Sequence, residues 1–235
     1  VIFFAIIFGI SMILIPEKKS NLIKSFFDSL NDVILKIIDL IMLCAPYGVF
    51  ALLAAIIVES PSMDLFKALG FYTLTVLFGL LLLICIYLIV VKVVIGKSPS
   101  YFLKGISPAQ LLAFSTSSSA ATLPVTMERV QDHLGVDEEV SSFVLPIGAT
   151  INMDGSALYQ AVAAVFIAQA FGLDLSLAAQ LGIISTATLA SIGSAAVPGA
   201  GMVMFIIVLS QAGIPELGLA LIFAVDTPLD MCRKV

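Results

Sequence analysis

Polar side chains interrupt a long apolar stretch near the middle of the chain. The segment 149–156 reads ATINMDGS and carries an amide at Asn152, a carboxylate at Asp154 and hydroxyls at Thr150 and Ser156. Placing a carboxylate in the hydrocarbon of a bilayer costs about 2.5–3.5 kcal/mol, so such a residue usually serves an ion or a substrate. If the stretch lies in a membrane, the cluster predicts a binding site.

Three charged residues near the end of the chain form a second set. Asp226, Asp230 and Arg233 follow one another at spacings of four and three, which places them on one stripe of a helix. One interpretation is a ladder of salt bridges within that helix. The other is a clamp for a zwitterion, in which Asp230 accepts an ammonium group and Arg233 pairs with a carboxylate.

The composition indicates that both sets lie in a membrane protein. Hydrophobic residues make up 60% of the chain and charged residues 11%, whereas soluble domains have roughly 45–50% and about 25%. Several apolar runs are long enough to cross a bilayer as helices. The runs are 1–15, 40–58, 71–91, 144–171, 178–190, 201–209 and 217–225. We therefore predict an all-α, multi-pass membrane protein in which 144–171 forms one long helix.

The charges exclude one class of partner and predict an orientation. The net charge of −5 at pH 7 offers no basic face for nucleic acid. Lysines and arginines accumulate in cytoplasmic loops, and here they concentrate at 16–24, 92–104 and 127–139. The connections 60–64, 172–176 and 212–216 are then expected outside. The three cysteines are interpreted as buried small hydrophobes rather than as disulfide partners.

Two segments are too rich in small residues to be ordinary spanning helices. They read FSTSSSAATLP (114–124) and ASIGSAAVPGAG (190–201), and each lies between short apolar arms. We interpret both as re-entrant helical hairpins whose tips meet at an internal site, since irregular backbone at membrane depth must be buried in protein or line a cavity. The segments 117–124 and 191–198 agree at three of eight positions, and intramembrane acids follow each. This pattern indicates a repeat of inverted topology, as in many transporters.

The tips and the polar cluster offer oxygen atoms of different kinds. The serines at 117–119 supply hydroxyls and backbone N–H groups that suit a carboxylate, although small residues also allow helices to pack closely. Carbonyls at Ser191, Ile192 and Ser194 can replace the hydration shell of an alkali cation. Oxygen ligands without His or Cys favour Na⁺ over a transition metal.

Together these segments resemble the dicarboxylate/amino acid:cation symporters, the family of glutamate and aspartate transporters. The motifs, in the family's order, are APYGVFALLA (45–54), TSSSAATLPVTM (116–127), GATINMDGSALYQ (148–160), ASIGSAAVPGAG (190–201) and DTPLDMCR (226–233). The likeness covers essentially all 235 residues. It implies an elevator-type glutamate transporter fold with two inverted re-entrant hairpins, a homotrimer in the cell (inner or plasma) membrane, and no enzymatic activity. By this resemblance, 1–70 belongs to a scaffold, 71–104 is a joining helix and 105–235 is the transport core.

The resemblance also implies a role for individual residues. Ser119 and the Ser117 backbone would contact the substrate's α-carboxylate, and Asp230 would hold its amino group. Arg233 and Ser156 would hold a side-chain carboxylate. The remaining substrate positions are Ser118, Met153 and, at the outer gate, Val197 and Gly201. Co-transported sodium, which is not a tightly bound cofactor, would bind in three places: Gly148 with Asn152; Thr150 with Ser191, Ile192 and Ser194; and Asn152 with Asp154.

Two charged positions narrow the expected substrate. The dicarboxylate branch of the family lacks an acid at the amino-binding position, so Asp230 favours an amino acid. Arg233 favours an acidic side chain, because neutral amino acid members replace the arginine. Sodium-coupled symport of glutamate or aspartate is therefore expected. Lys234 and Ala120 depart from the family, where Thr or Ser and a further serine are usual, and the chain resembles a fragment lacking the first helices and the end of the last.

Other functions remain open. Proton-coupled or C4-dicarboxylate symport would use the same architecture, and an anion channel or a receptor-like membrane protein is a candidate of a different class. An intramembrane serine protease needs a basic partner within the bilayer, but the one histidine, His133, lies in a charged loop. An aspartyl protease needs two facing acids, and the accompanying Gly-x-Gly-Asp motif is missing.

Overall fold

The computed structural model describes residues 2–44, 47–48, 50–51, 54, 63–194, 196 and 199–235. Every regular element among these residues is helical, which confirms the predicted all-α class for this part of the chain. The chain divides into two compact units, Val1–Val49 and Phe50–Val235.

The first unit consists of two helices, α1 (Ile2–Leu14) and α2 (Glu17–Met42). They contact each other, and the ring of Phe8 meets that of Phe27 edge-on at a centroid distance of 5.7 Å. The predicted loop at 16–24 is wrong, because α2 already begins at Glu17. Charge indicates the water-facing part of a chain but does not break a helix, and lysine is a good helix former.

The second unit contains eight α-helices with bounds in the described residues. They are α3 (Met63–Val90), α4 (Pro99–Thr116), α5 (Ser119–Asp132), α6 (Glu138–Ile151), α7 (Asp154–Ala170), α8 (Leu177–Ile192), α9 (Ala200–Gln211) and α10 (Leu219–Arg233). A π-helical turn, Val91–Ile95, extends α3, and a 3₁₀ turn, Glu216–Gly218, precedes α10. The loops predicted at 92–104 and 127–139 are shorter than expected. The Ser98 side chain caps α4, and α5 continues to Asp132.

Two described stretches are long and apolar enough to cross a membrane. They are Phe66–Ile95 and Glu138–Ala170, and α8 and α9 are shorter apolar helices. The second stretch is not the single helix predicted for 144–171, because Asn152 and Met153 leave the helical region with ψ angles of 70° and 52°. Hydropathy depends on residue type and not on backbone angles. The apolar run at 144–171 therefore could not predict this break.

Helix α7 forms the centre of the second unit. It contacts α3, α8, α9 and α10, and its small residues Ala163, Ala164 and Ala168 are fully buried. Larger side chains fill the space between the helices: Tyr159 packs against Phe205, and Phe166 stacks on Tyr72 at 4.8 Å. This packing fixes the first turn of α7, which carries Asp154 and Ser156.

We predict that Gly218→Ala destabilises the protein by about 1–3 kcal/mol, the usual cost of overpacking a core. A Cβ at Gly218 would lie 2.1 Å from Cγ2 of Ile167 and 3.2 Å from the Phe171 ring. Thermal denaturation of the full-length protein in detergent measures the effect. Gly70→Ala in α3 is the matched control, since its methyl would meet no atom within 4 Å. Equal melting temperatures for both variants would contradict the prediction.

Candidate functional site

The two small-residue segments meet in the structure, as the sequence predicts. Between α4 and α5, Ser117 has a left-handed φ of 50° and Ser118 begins the next helix. The Ser118 hydroxyl and the Ala120 N–H both donate to the carbonyl of Ala196, each at 3.1 Å. Ala196 lies in the connection between α8 and α9, so this shared carbonyl joins the two segments.

Helix α10 brings its charged residues to the same place. Asp226, Asp230 and Arg233 are only 8%, 5% and 7% exposed. The Arg233 Nε–H donates to Oδ1 of Asp230 at 2.7 Å, and Nη2 lies 2.6 Å from the same oxygen. The Gly199 N–H, at the start of α9, donates to the other Asp230 oxygen at 3.4 Å. The ladder predicted as one interpretation therefore exists, but it is buried rather than at a helix surface.

The Arg233 guanidinium lies between an aromatic ring and a glycine. Its central carbon is 4.3 Å from the centroid of the Tyr159 ring, an arrangement that stabilises a cation. A Cβ at Gly201 would lie 2.8 Å from Nη2, so only glycine leaves the present room there. On its remaining side, Nη1 is 3.8 Å from Oδ1 of Asp226.

This guanidinium has hydrogen-bonding capacity left over. Among the described residues, Nη1 has no hydrogen-bond partner, and neither has Oδ1 of Asp226, whereas Nη2 is held in the ion pair with Asp230. Buried donors without partners cost stability. A guanidinium presents its N–H groups in a planar fork that matches a carboxylate, which can accept two parallel hydrogen bonds. The N–H groups of Nη1 are therefore chemically suited to an acidic group.

A cavity of about 300 Å³ connects the predicted substrate and cation residues. Its wall includes Ser119, Met153, Ser156 and Arg233 from the substrate set, and Asn152 and Asp154 from the cation set. Ser156 and Met153 are buried, whereas Asn152 and Asp154 are exposed. Both sets thus face one space, close to the break between α6 and α7.

The other predicted cation ligands lie at helix ends around this break. Asn152 donates its N–H to the Gly148 carbonyl at 2.9 Å, and exposed Thr150 donates to the Ile147 carbonyl at 3.0 Å. Ser191 and Ser194 are buried at the end of α8, beside partly buried Ile192. The Ser194 N–H donates a hydrogen bond to the Ser191 carbonyl at 3.1 Å. Helices α6 and α8 contact each other, which brings these two groups to neighbouring elements.

One predicted substrate residue has another role in the structure, and a second is not described. Ser118 is buried, and its hydroxyl both donates to Ala196 and accepts from the Ala121 N–H, so it joins backbone segments. Val197 lies outside the described residues.

Two residues at the site were missed by the sequence analysis. Tyr87 of α3 donates its hydroxyl to Oδ2 of Asp154, and Tyr159 supports Arg233. Lys234, which departs from the family pattern, directly follows α10 and lines the cavity with Arg233. Tyr159 follows Ser156 by three residues, so helical periodicity alone could have placed it on the site's face. Tyr87 lies 67 residues from Asp154, in a stretch (79–90) with no other hydroxyl, amide or charged side chain.

The chain is similar to known membrane transporters. Excitatory amino acid transporter 3 of Mus musculus and that of Oryctolagus cuniculus are each 46% identical over 239 residues, covering 100% of this chain and 45% of the relative. Excitatory amino acid transporter 1 of Ambystoma tigrinum is 46% identical over 219 residues, covering 92% of this chain and 40% of the relative. The chain thus spans less than half the length of these relatives, whose names denote transporters and not enzymes.

The model of one family, described as the sodium:dicarboxylate symporter family, matches residues 1–235. The chain therefore belongs to the sodium:dicarboxylate symporter family.

Proposed function

We propose that the full-length protein couples the entry of sodium to the uptake of glutamate or aspartate across the plasma membrane. The observation that carries this proposal is the buried Arg233 guanidinium, which is paired with Asp230 at 2.6 Å and whose Nη1 has no hydrogen-bond partner among the described residues. The names of the relatives, excitatory amino acid transporters, and the family description support the same class of substrate and ion.

Charge pairing explains how this site would select an acidic amino acid. Without substrate, Arg233 and Asp230 neutralise each other at 2.6 Å. An acidic amino acid brings an ammonium group for Asp230 and a side-chain carboxylate for Arg233, so both buried charges keep a partner. Ser156 lies on the same cavity wall for the side-chain carboxylate, and Ser119 with the Ser117 backbone would hold the α-carboxylate. Ser118 would fix the loop that presents them, and Met153 would separate substrate from cations.

Sodium would bind where oxygen atoms collect at the helix breaks. Asn152 and Asp154 face the cavity and supply an amide and a carboxylate oxygen. Gly148 with Asn152 would form another site, and Thr150 with Ser191, Ile192 and Ser194 a third. Helix breaks suit this role because they leave carbonyl groups without intrahelical partners, and hard oxygen ligands favour an alkali cation. Sodium is cargo in this proposal, not a resident cofactor.

The proposed mechanism moves a transport core relative to a scaffold. Residues 105–235 would form the core, with α4–α5 and α8–α9 as two inverted re-entrant hairpins, and 71–104 would join it to a scaffold that includes 1–70. Gly201, against which Arg233 packs, and Val197 would belong to the outer gate. A homotrimer and an elevator motion complete the proposal.

Lys234 favours a second candidate, C4-dicarboxylate symport. It follows Asp230 by four residues and faces the cavity together with Arg233. Residues four apart on a helix are neighbours, so the ammonium group can neutralise Asp230. With Asp230 neutralised in this way, a substrate that brings a carboxylate for Arg233 and no amino group would leave no buried acid without a partner.

We predict that full-length protein in vesicles accumulates labelled aspartate when sodium is higher outside. Replacing sodium by choline at constant pH should abolish accumulation. Unlabelled glutamate should compete strongly and succinate weakly. Uptake driven by a pH gradient without sodium would contradict the proposed coupling, and stronger competition by succinate than by glutamate would favour the second candidate.

We predict that Arg233→Gln weakens binding of aspartate by about 3 kcal/mol or more, roughly 100-fold, because a buried carboxylate loses its partner. Binding of a neutral amino acid such as serine should weaken far less. Competition uptake measures both. Arg129→Gln is the matched control, since these are the two arginines of the chain and Arg129 instead donates to the Gly105 carbonyl. Equal losses for acidic and neutral substrates would contradict this role of Arg233.

We predict that Gly201→Ala raises the aspartate concentration for half-maximal uptake by about 10-fold, equivalent to about 1.4 kcal/mol. The added methyl would meet Nη2 of Arg233 at 2.8 Å, so the guanidinium must move from its present position. Gly182→Ala in α8, where no atom lies within 4 Å of the new Cβ, should leave uptake unchanged. An unchanged half-saturation in Gly201→Ala would show that Arg233 tolerates the shift.

A further inference from the structure

Tyr87 contacts the cation-binding carboxylate from a different part of the fold. Its hydroxyl donates to Oδ2 of Asp154, joining the last turns of α3 to the first residue of α7. From Gly79 to Val90 the sequence of α3 reads GLLLLICIYLIV, so Tyr87 is the one hydroxyl in that stretch. Both residues line the cavity that also contains Asn152.

The direction of this hydrogen bond leaves the carboxylate able to bind a cation. An ionised carboxylate has two oxygens and about four lone-pair sites, and Tyr87 uses one site of Oδ2. The remaining sites, and the Asn152 side chain on the same wall, stay open to an oxygen-seeking ion. A neutral phenol adds no charge that would repel sodium. The contact therefore orients Asp154 without filling the cation's place.

The position of Asp154 explains why such support matters. Asp154 is exposed and starts α7 directly after the two non-helical residues Asn152 and Met153. Tyr87 is the hydrogen-bond partner of its side chain among the described residues. A side chain at a helix end with one partner samples several rotamers once that partner is lost, and ordering it again opposes ion binding. Groups that hydrogen-bond to a metal ligand commonly contribute about 10- to 100-fold to metal affinity.

We propose that Tyr87 is a positioning residue for sodium, which holds the Asp154 carboxylate in the orientation that coordinates the co-transported ion. The proposal rests on the proposed sodium coupling. It adds a residue of the joining helix α3 to the machinery, so that sodium affinity depends on the contact between α3 and α7. A purely structural hydrogen bond would instead affect stability equally with and without sodium.

The test uses the full-length protein and its Tyr87→Phe variant, which keeps the ring and loses only the hydroxyl. Purified protein without substrate is titrated with Na⁺ while its melting temperature is followed. In proteoliposomes, the Na⁺ concentration for half-maximal aspartate uptake is measured. We expect Tyr87→Phe to raise both Na⁺ midpoints by about 10- to 100-fold. Aspartate half-saturation at saturating Na⁺ should stay the same.

Tyr72→Phe is the matched control. Tyr72 also belongs to α3, but its buried hydroxyl has no hydrogen-bond partner among the described residues. Its Na⁺ midpoints should equal those of the wild type. If Tyr87→Phe does not fold, Tyr87→Gln is compared with Tyr87→Leu instead. Glutamine and leucine are similar in size, but only glutamine can donate a hydrogen bond. The glutamine variant, which keeps a donor, should then bind Na⁺ more tightly than the leucine variant.

The outcomes separate this inference from the function on which it rests. A wild-type protein that shows no response to Na⁺ would overturn the proposed sodium coupling itself. A wild type that responds, with a Tyr87→Phe variant of equal or lower Na⁺ midpoint, would overturn only the role of Tyr87. Equal shifts in Tyr87→Phe and Tyr72→Phe would do the same, since they would report a general effect on α3.

Discussion

A buried positive charge has to be compensated, and that requirement organises the second unit of this protein. Arg233 is almost fully enclosed, and an uncompensated charge in such a place costs several kcal/mol. Asp230 and Asp226 on the same helix, and the Tyr159 ring on α7, supply the compensation. Because these partners come from two helices and Gly201 from a third, the position of one side chain ties together α7, α9 and α10. Among the described residues, its Nη1 still has no hydrogen-bond partner.

Broken helices provide the rest of the site. Helix interiors satisfy their own backbone groups and offer little to a ligand, whereas every helix end leaves N–H or C=O groups without intrahelical partners. Three interruptions lie near one another here: at Ser117, at Asn152–Met153 and between α8 and α9. The breaks place polar backbone and short polar side chains inside an apolar protein.

Sequence patterns predicted those features of the site that are local. The stripe of Asp226, Asp230 and Arg233 follows from helical periodicity, and the two small-residue segments stand out because Ser, Gly and Pro disfavour a spanning helix. The sequence could not predict contacts between residues that are distant in the chain, or the backbone angles at a helix break. The Tyr87–Asp154 hydrogen bond joins residues far apart in the chain, and the break at Asn152 lies within an apolar run. The early start of α2 at Glu17 was missed because lysines indicated a loop, although they favour helix equally well. Roles of the individual ligands rest on the family resemblance and stay proposals.

The carbonyl of Ala196 has a consequence for how the two small-residue segments are held together. It accepts hydrogen bonds from both the Ser118 hydroxyl and the Ala120 N–H, so the two bonds share one acceptor. Moving Ala196 away breaks both together and exposes three polar groups at once, so partly separated arrangements have no compensating contact. The two hydrogen bonds are therefore kept or lost together, which makes the junction between the two small-residue segments cooperative.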